Sequence, residues 1–87
     1  MSTNEGNIMP KVYLTEKDRL CARLAKWVYG EMKVRRLTQE QVAKKMNISH
    51  QALSQKLKRE SFDYADFVFF VKEFQPSNEE LLQLIGI

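Results

Sequence analysis

The sequence predicts an all-α fold of five helices in one compact domain, and three observations carry that prediction. Only three glycines and two prolines occur in 87 residues, and the β-branched residues are scattered, so the strands and tight turns of a sheet protein cannot be written from this chain. Apolar residues recur at three- to four-residue spacing, the period that lines them up on one face of a helix. A Thr or Ser followed three positions later by Asp, Glu or Gln punctuates the chain at the places where those stripes begin, which marks helix starts. A composition of 44% hydrophobic and 29% charged residues, with five Phe, three Tyr and one Trp, suits one globular core, and the length leaves no material for a second.

Met1 to Pro10 reads as polar, and residues 1–14 are expected to form a flexible lead-in, with residues 15–87 as the folded domain. Thr15 with Asp18 has the spacing of a helix N-cap. From there Leu20, Leu24, Trp27 or Val28, and Met32 form an apolar stripe, with Cys21 and Ala25 beside it. Gly30 weakens this first helix without ending it. Lys33, Arg35 and Arg36 lie in its last turns, where the helix dipole favours cations whether or not a ligand is present.

Thr38 with Gln41 begins a second, short helix, in which Leu37 is placed to staple against Val42. Its inward residues are Val42, Ala43 and Met46, and Asn47 stops it because asparagine tolerates the left-handed backbone needed just past a helix end. Ile48 follows as an apolar plug, and Ser49 caps the third helix. So short a connection forces a sharp bend, and the punctuation alone specifies a helix-turn-helix from about Thr38 to Lys58. In the third helix Ala52, Leu53 and Leu57 are expected inside, while Gln51, Ser54, Gln55 and Lys58 fall at i, i+3, i+4 and i+7 and make one polar stripe.

Ser61 or Asp63 caps a fourth helix with Phe67, Val68, Val71 and Phe74 as its apolar face and Tyr64 and Phe70 at its flanks, ended by Gln75-Pro76. Ser77 with Glu80 starts a fifth, carrying Leu81, Leu82 and Ile85 and stopped by Gly86. The segment from Phe62 to Phe74 is heavy in aromatics for a core this small, and Phe69 or Phe70 is expected to belong to a partner surface.

Charge is unevenly distributed. Between Lys33 and Arg59 stand eight basic residues and one acid, a balance of +7, whereas the rest of the chain carries −4 within a total of +3. Positive charge concentrated on a helix-turn-helix is the electrostatic footprint of a phosphate-binding surface.

The stretch Leu37 to Arg59, LTQEQVAKKMNISHQALSQKLKR, resembles the helix-turn-helix of the Cro/C1-type phage repressors, the lambda repressor-like family. Thr-Gln at the start, Val-Ala in the second helix, the Ile-Ser turn and Ala-Leu-Ser in the third fall at the family's spacing. The five-helix layout extends the likeness to about Thr15 through Ile85. The resemblance implies a transcriptional regulator, a repressor, binding a double-stranded DNA operator with the helix at about residues 50–58 in the major groove. Gln51 and Gln55 are then the base readers, since an amide donates and accepts at once and matches adenine N7 and N6, with His50 and Ser54 beside them.

The resemblance also places Gln39 against a phosphate at the start of the second helix, and Ser49 sits at an equivalent helix start. Lys44, Lys45, Lys56, Lys58 and Arg59 supply the salt-dependent, sequence-independent attraction, with Arg35 and Arg36 towards the flanking backbone. Lys44 and Lys45 are about 100° apart around their helix, so one of the two faces elsewhere. Two departures stand out: Asn47 occupies a turn position where the family often has glycine, and Lys58-Arg59-Glu60 replaces the common Asn-Gly loop. Family repressors usually bind as dimers, and the C-terminal Leu81, Leu82, Leu84, Ile85 and Ile87 are expected either to make a homodimer contact, chiefly through Leu81, Leu82 and Ile85, or to close the monomer's core.

A single cysteine, Cys21, and a single histidine, His50, permit no internal disulfide and no zinc cage. Without a nucleophile and base in one place or a glycine-rich phosphate loop, no enzymatic activity, metal, other cofactor or small-molecule substrate is expected. The longest apolar run, Phe67 to Val71, is far short of the about 20 residues of a membrane span, and the chain start lacks the features of a secretory signal. A cytoplasmic protein is expected. The competing class is a protein-interaction module, an antirepressor or adaptor that uses the same fold without reading DNA.

Overall fold

The computed structural model describes residues 15–86, so the expected lead-in over residues 1–14 and the final residue lie outside it. Five helices follow in order: α1 (Glu16–Arg35), α2 (Gln39–Met46), α3 (His50–Arg59), α4 (Tyr64–Phe74) and α5 (Asn78–Ile85). No strand occurs among the described residues.

Each start follows from a local hydrogen bond that satisfies an otherwise orphaned backbone N–H. Thr15, Thr38, Asp63 and Ser77 each accept from the backbone of the residue three on, whose own side chain accepts the cap residue's N–H in return. Ser49 accepts from the Ala52 N–H at 3.0 Å but receives no return bond, because alanine has nothing to offer. For α4 the cap is therefore Asp63, and Ser61 lies before the helix.

The ends are equally regular: Arg36, Asn47, Glu60, Gln75 and Gly86 all take the left-handed conformation, four of them without being glycine. In α1 and α2 the next residue donates back across the last turn, Leu37 N–H to the Met32 carbonyl at 2.8 Å and Ile48 N–H to Ala43 at 3.0 Å. Both of those residues turn their side chains onto the core, the apolar contact that accompanies this kind of helix end.

α1, about 30 Å long, is the spine against which α4 and α5 pack, while α2 and α3 pack on each other. The core comprises Cys21, Leu24, Ala25, Val28 and Met32 of α1, Val42 and Ala43 of α2, Leu53 and Leu57 of α3, Phe62, Phe70 and Phe74, and Leu84. Val28 is wholly buried, whereas Trp27 is half-buried, its ring edge-on to Phe74 at 5.7 Å.

Two sequence expectations are corrected. The inward face of α4 is Asp66, Phe70 and Phe74, and Phe67, Val68 and Val71 are only half-buried. Phe70, expected on a flank or a partner surface, is fully buried. It stacks with Phe74 at 6.2 Å and receives Phe62 and the half-buried Phe69 edge-on. Five consecutive apolar residues carry no phase, so the phase comes from packing against α1 and Phe62. In α5 the buried residue is Leu84, with Leu81 half-buried, and Leu82 and Ile85 stand 48% and 44% exposed. Arg23 sets this rotation by donating to the carbonyls of Leu84 at 2.7 Å and Ile85 at 2.9 Å, closing α5 onto α1.

Candidate nucleic-acid interface

α3 is anchored by Leu53 and Leu57, both essentially inaccessible. Opposite them Gln51, Gln55 and Lys58 are exposed and Ser54 is half-exposed, spanning about 100° of the helix circumference. His50 is exposed at the first position of the helix, and exposed Arg59 flanks the stripe. Among the described residues none of these side chains makes a hydrogen bond or ion pair. The face is thus a row of uncommitted donors, acceptors and cations on a helix fixed from behind.

At the starts of α2 and α3 the first two backbone N–H groups, of Gln39 and Glu40 and of His50 and Gln51, have no acceptor within their helices. Gln39 is half-exposed there, and the Ser49 hydroxyl is occupied by its capping bond while remaining accessible. Lys44 lies exposed on α2, and Arg36 is exposed at the left-handed turn between α1 and α2. No hydrogen bond or ion pair joins these residues to the α3 face among the described residues.

The basic window divides into cations that hold the fold and cations left to solvent. Lys45 pairs with Glu73 at 2.7 Å and ties α2 to α4, so of the two neighbouring lysines Lys44 is the unpaired one. Arg35 bonds Glu31 and the Phe74 carbonyl, each at 2.9 Å, with its guanidinium 5.1 Å from the Phe74 ring centre. Lys56 turns away from the polar stripe and pairs with buried Asp66 at 2.8 Å. That leaves Lys33, Arg36, Lys44, Lys58 and Arg59 exposed and without an ion pair among the described residues.

Sequence reasoning missed Asp66, although Asp63-x-x-Asp66 repeats the capping spacing. The Asp66 N–H donates to the Asp63 carboxylate at 2.9 Å and holds its pKa below the ordinary aspartate value. Lys56 nearby acts in the same direction.

Elsewhere, a depression of about 310 Å³ between the starts of α1 and α4 is lined mainly by Leu20, Cys21, Leu24, Phe62, Tyr64 and Phe67. Tyr64 at its rim is 82% exposed. No three His, Cys, Asp or Glu side chains converge among the described residues, and no helix there is long and apolar enough to cross a membrane. Compared with known proteins, the chain matches no family model, no curated protein and no solved structure.

Proposed function

We propose that the chain is a sequence-specific double-stranded-DNA-binding regulator of the lambda repressor-like kind, acting in the cytosol with α3 in the major groove. The observation that carries the reading is the outward face of α3, where Gln51, Gln55 and Lys58 are exposed and uncommitted while Leu53 and Leu57 lock the helix from behind. An α-helix fits the major groove, and an amide side chain reads adenine there. The exposed cations Arg36, Lys44, Lys58 and Arg59 supply the attraction to phosphates. Gln51, Gln55, His50 and Ser54 read bases, and Gln39 and Ser49 approach phosphates at helix starts.

The reading extends to a homodimer, since operators of this kind present two half-sites. Of the residues first expected at the contact, Leu82 and Ile85 are exposed, Leu81 is partly and Leu84 wholly taken up by the core, and Ile87 lies outside the described residues, so the proposed contact reduces to Leu82 and Ile85. Selection of bound sequences from random duplex DNA tests the function: a short enriched motif is expected, and enrichment lost with Gln51→Ala at one position ties it to α3.

A second reading, a protein-interaction module, is favoured by exposed Tyr64 at the rim of an apolar depression. It predicts no enriched DNA sequence and partner binding that survives charge reversal at Lys58.

A further inference from the structure

Asp66 is the one charged residue buried among the described residues, at 8% exposure. Its Oδ2 accepts from two donors, the Asp63 backbone N–H at 3.1 Å and the Lys56 ammonium at 2.8 Å. The first bond fixes the carboxylate to the start of α4; the second reaches across to α3. Around α3, Lys58 lies about 20° from Gln51 whereas Lys56 lies about 140° away, beside the buried leucines. The helix thus carries one lysine on its reading side and another on its rear flank.

We propose that Asp66 is a positioning residue for the reading helix: it withdraws Lys56 from phosphate neutralisation and uses that charge to hold α3 against α4. The inference rests on the DNA-binding reading above. The Lys56 and Asp66 side chains are 28% and 10% exposed, so salt screens their pair far less than it screens a contact between a surface lysine and a phosphate. Across a salt range that weakens DNA binding, the orientation of α3 therefore stays fixed. The sequence-independent pull of α3 comes from Lys58 and Arg59.

The test is the dependence of DNA affinity on salt, measured on mixed-sequence duplex for the wild type, Lys58→Ala, Lys56→Gln, Asp66→Asn and the Asp66→Asn/Lys56→Gln double variant, with helicity checked for each. Log K falls as log salt rises, and loss of one phosphate contact makes that fall shallower by about 0.9 in slope. Lys58→Ala is expected to show that loss, and Lys56→Gln to leave the slope unchanged. Asp66→Asn is expected to steepen it by about 0.9 as the released ammonium takes a phosphate, and the double variant to restore the wild-type value. A merely structural ion pair would lower stability in Asp66→Asn without steepening the slope.

A Lys56→Gln slope reduced like that of Lys58→Ala, or an Asp66→Asn slope equal to wild type, overturns the inference while leaving DNA binding intact. Absence of any salt-dependent binding by the wild type overturns the DNA reading, and the inference with it. Should Asp66→Asn fail to fold, the Lys56 ammonium protons of the wild type are observed by NMR. Protection from water exchange in both free and DNA-bound protein is expected, and protection in the bound protein alone contradicts the proposal.

Discussion

Gln51 and Asp63 show what single side chains do here. Gln51 is exposed, on the accessible side of a helix held by Leu53 and Leu57, so removing its amide leaves the fold intact and, on the proposed reading, changes only what the helix reads. Gln51→Ala should cost about 1–3 kcal/mol at one operator position and relax specificity there. Titrations on operator variants check this, and an equal loss on operator and random DNA would take Gln51 out of the reading set. Asp63 is a different case, because its carboxylate caps α4 and its pKa is lowered by the Asp66 N–H. A carboxylate with a depressed folded pKa contributes stability that is present above its unfolded value and lost as pH falls through the folded one. Acidification below about pH 4 should therefore weaken the α4 cap, and Asp63→Asn, which keeps an acceptor oxygen but does not titrate there, should flatten that part of the pH–stability curve. An unchanged curve contradicts the assignment.

At the scale of the helix, what was legible in the sequence and what was not divide along a physical line. The caps at Thr15, Thr38, Ser49 and Ser77 were legible because a cap is a local hydrogen bond with a fixed spacing of three residues. The phase of α4 was not, because Phe67 to Val71 is uniformly apolar and packing chooses which residues turn inward. Nor were the pairs Lys56–Asp66 and Lys45–Glu73, which join different helices and leave no periodic trace. Helix ends give two further predictions of opposite sign. Gln75 holds a left-handed conformation, at φ 48°, that costs a non-glycine residue about 1 kcal/mol. Gln75→Gly should accordingly stabilise by about 0.5 kcal/mol after the added freedom of the unfolded chain is set against it, visible as a rise of a few degrees in a thermal melt. Gly86→Ala should do the reverse, since at φ 94° its new Cβ would lie 2.7 Å from the Arg23 Nη2 that closes α5 onto α1. A lower melting point for Gln75→Gly, or a higher one for Gly86→Ala, contradicts this account of the ends.

For the whole molecule, one core draws on all five helices, while the exposed polar and basic face lies on two of them. α1 and α4, with Phe62 before α4, gather the aromatic cluster around Phe70 and Phe74, and α5 packs on α1 with Leu82 and Ile85 left exposed. α2 and α3 pack on each other and present the exposed polar and basic face. The segmental excess of positive charge was visible in the sequence, but its division into structural cations (Arg35, Lys45, Lys56) and uncommitted ones (Lys33, Arg36, Lys44, Lys58, Arg59) required the fold. If Leu82 and Ile85 join two copies, sedimentation should show a concentration-dependent dimer that Leu82→Glu abolishes without loss of helicity; a wild type that stays monomeric throughout removes the dimer. On the proposed reading, the outward face of α3 reads duplex DNA. Selection from random duplex DNA with the full chain, run in parallel for wild type and Gln51→Ala, tests it most directly. A short motif enriched by the wild type and degenerate at one position with Gln51→Ala is expected; no enriched sequence, or the same motif from both proteins, would contradict DNA reading by α3.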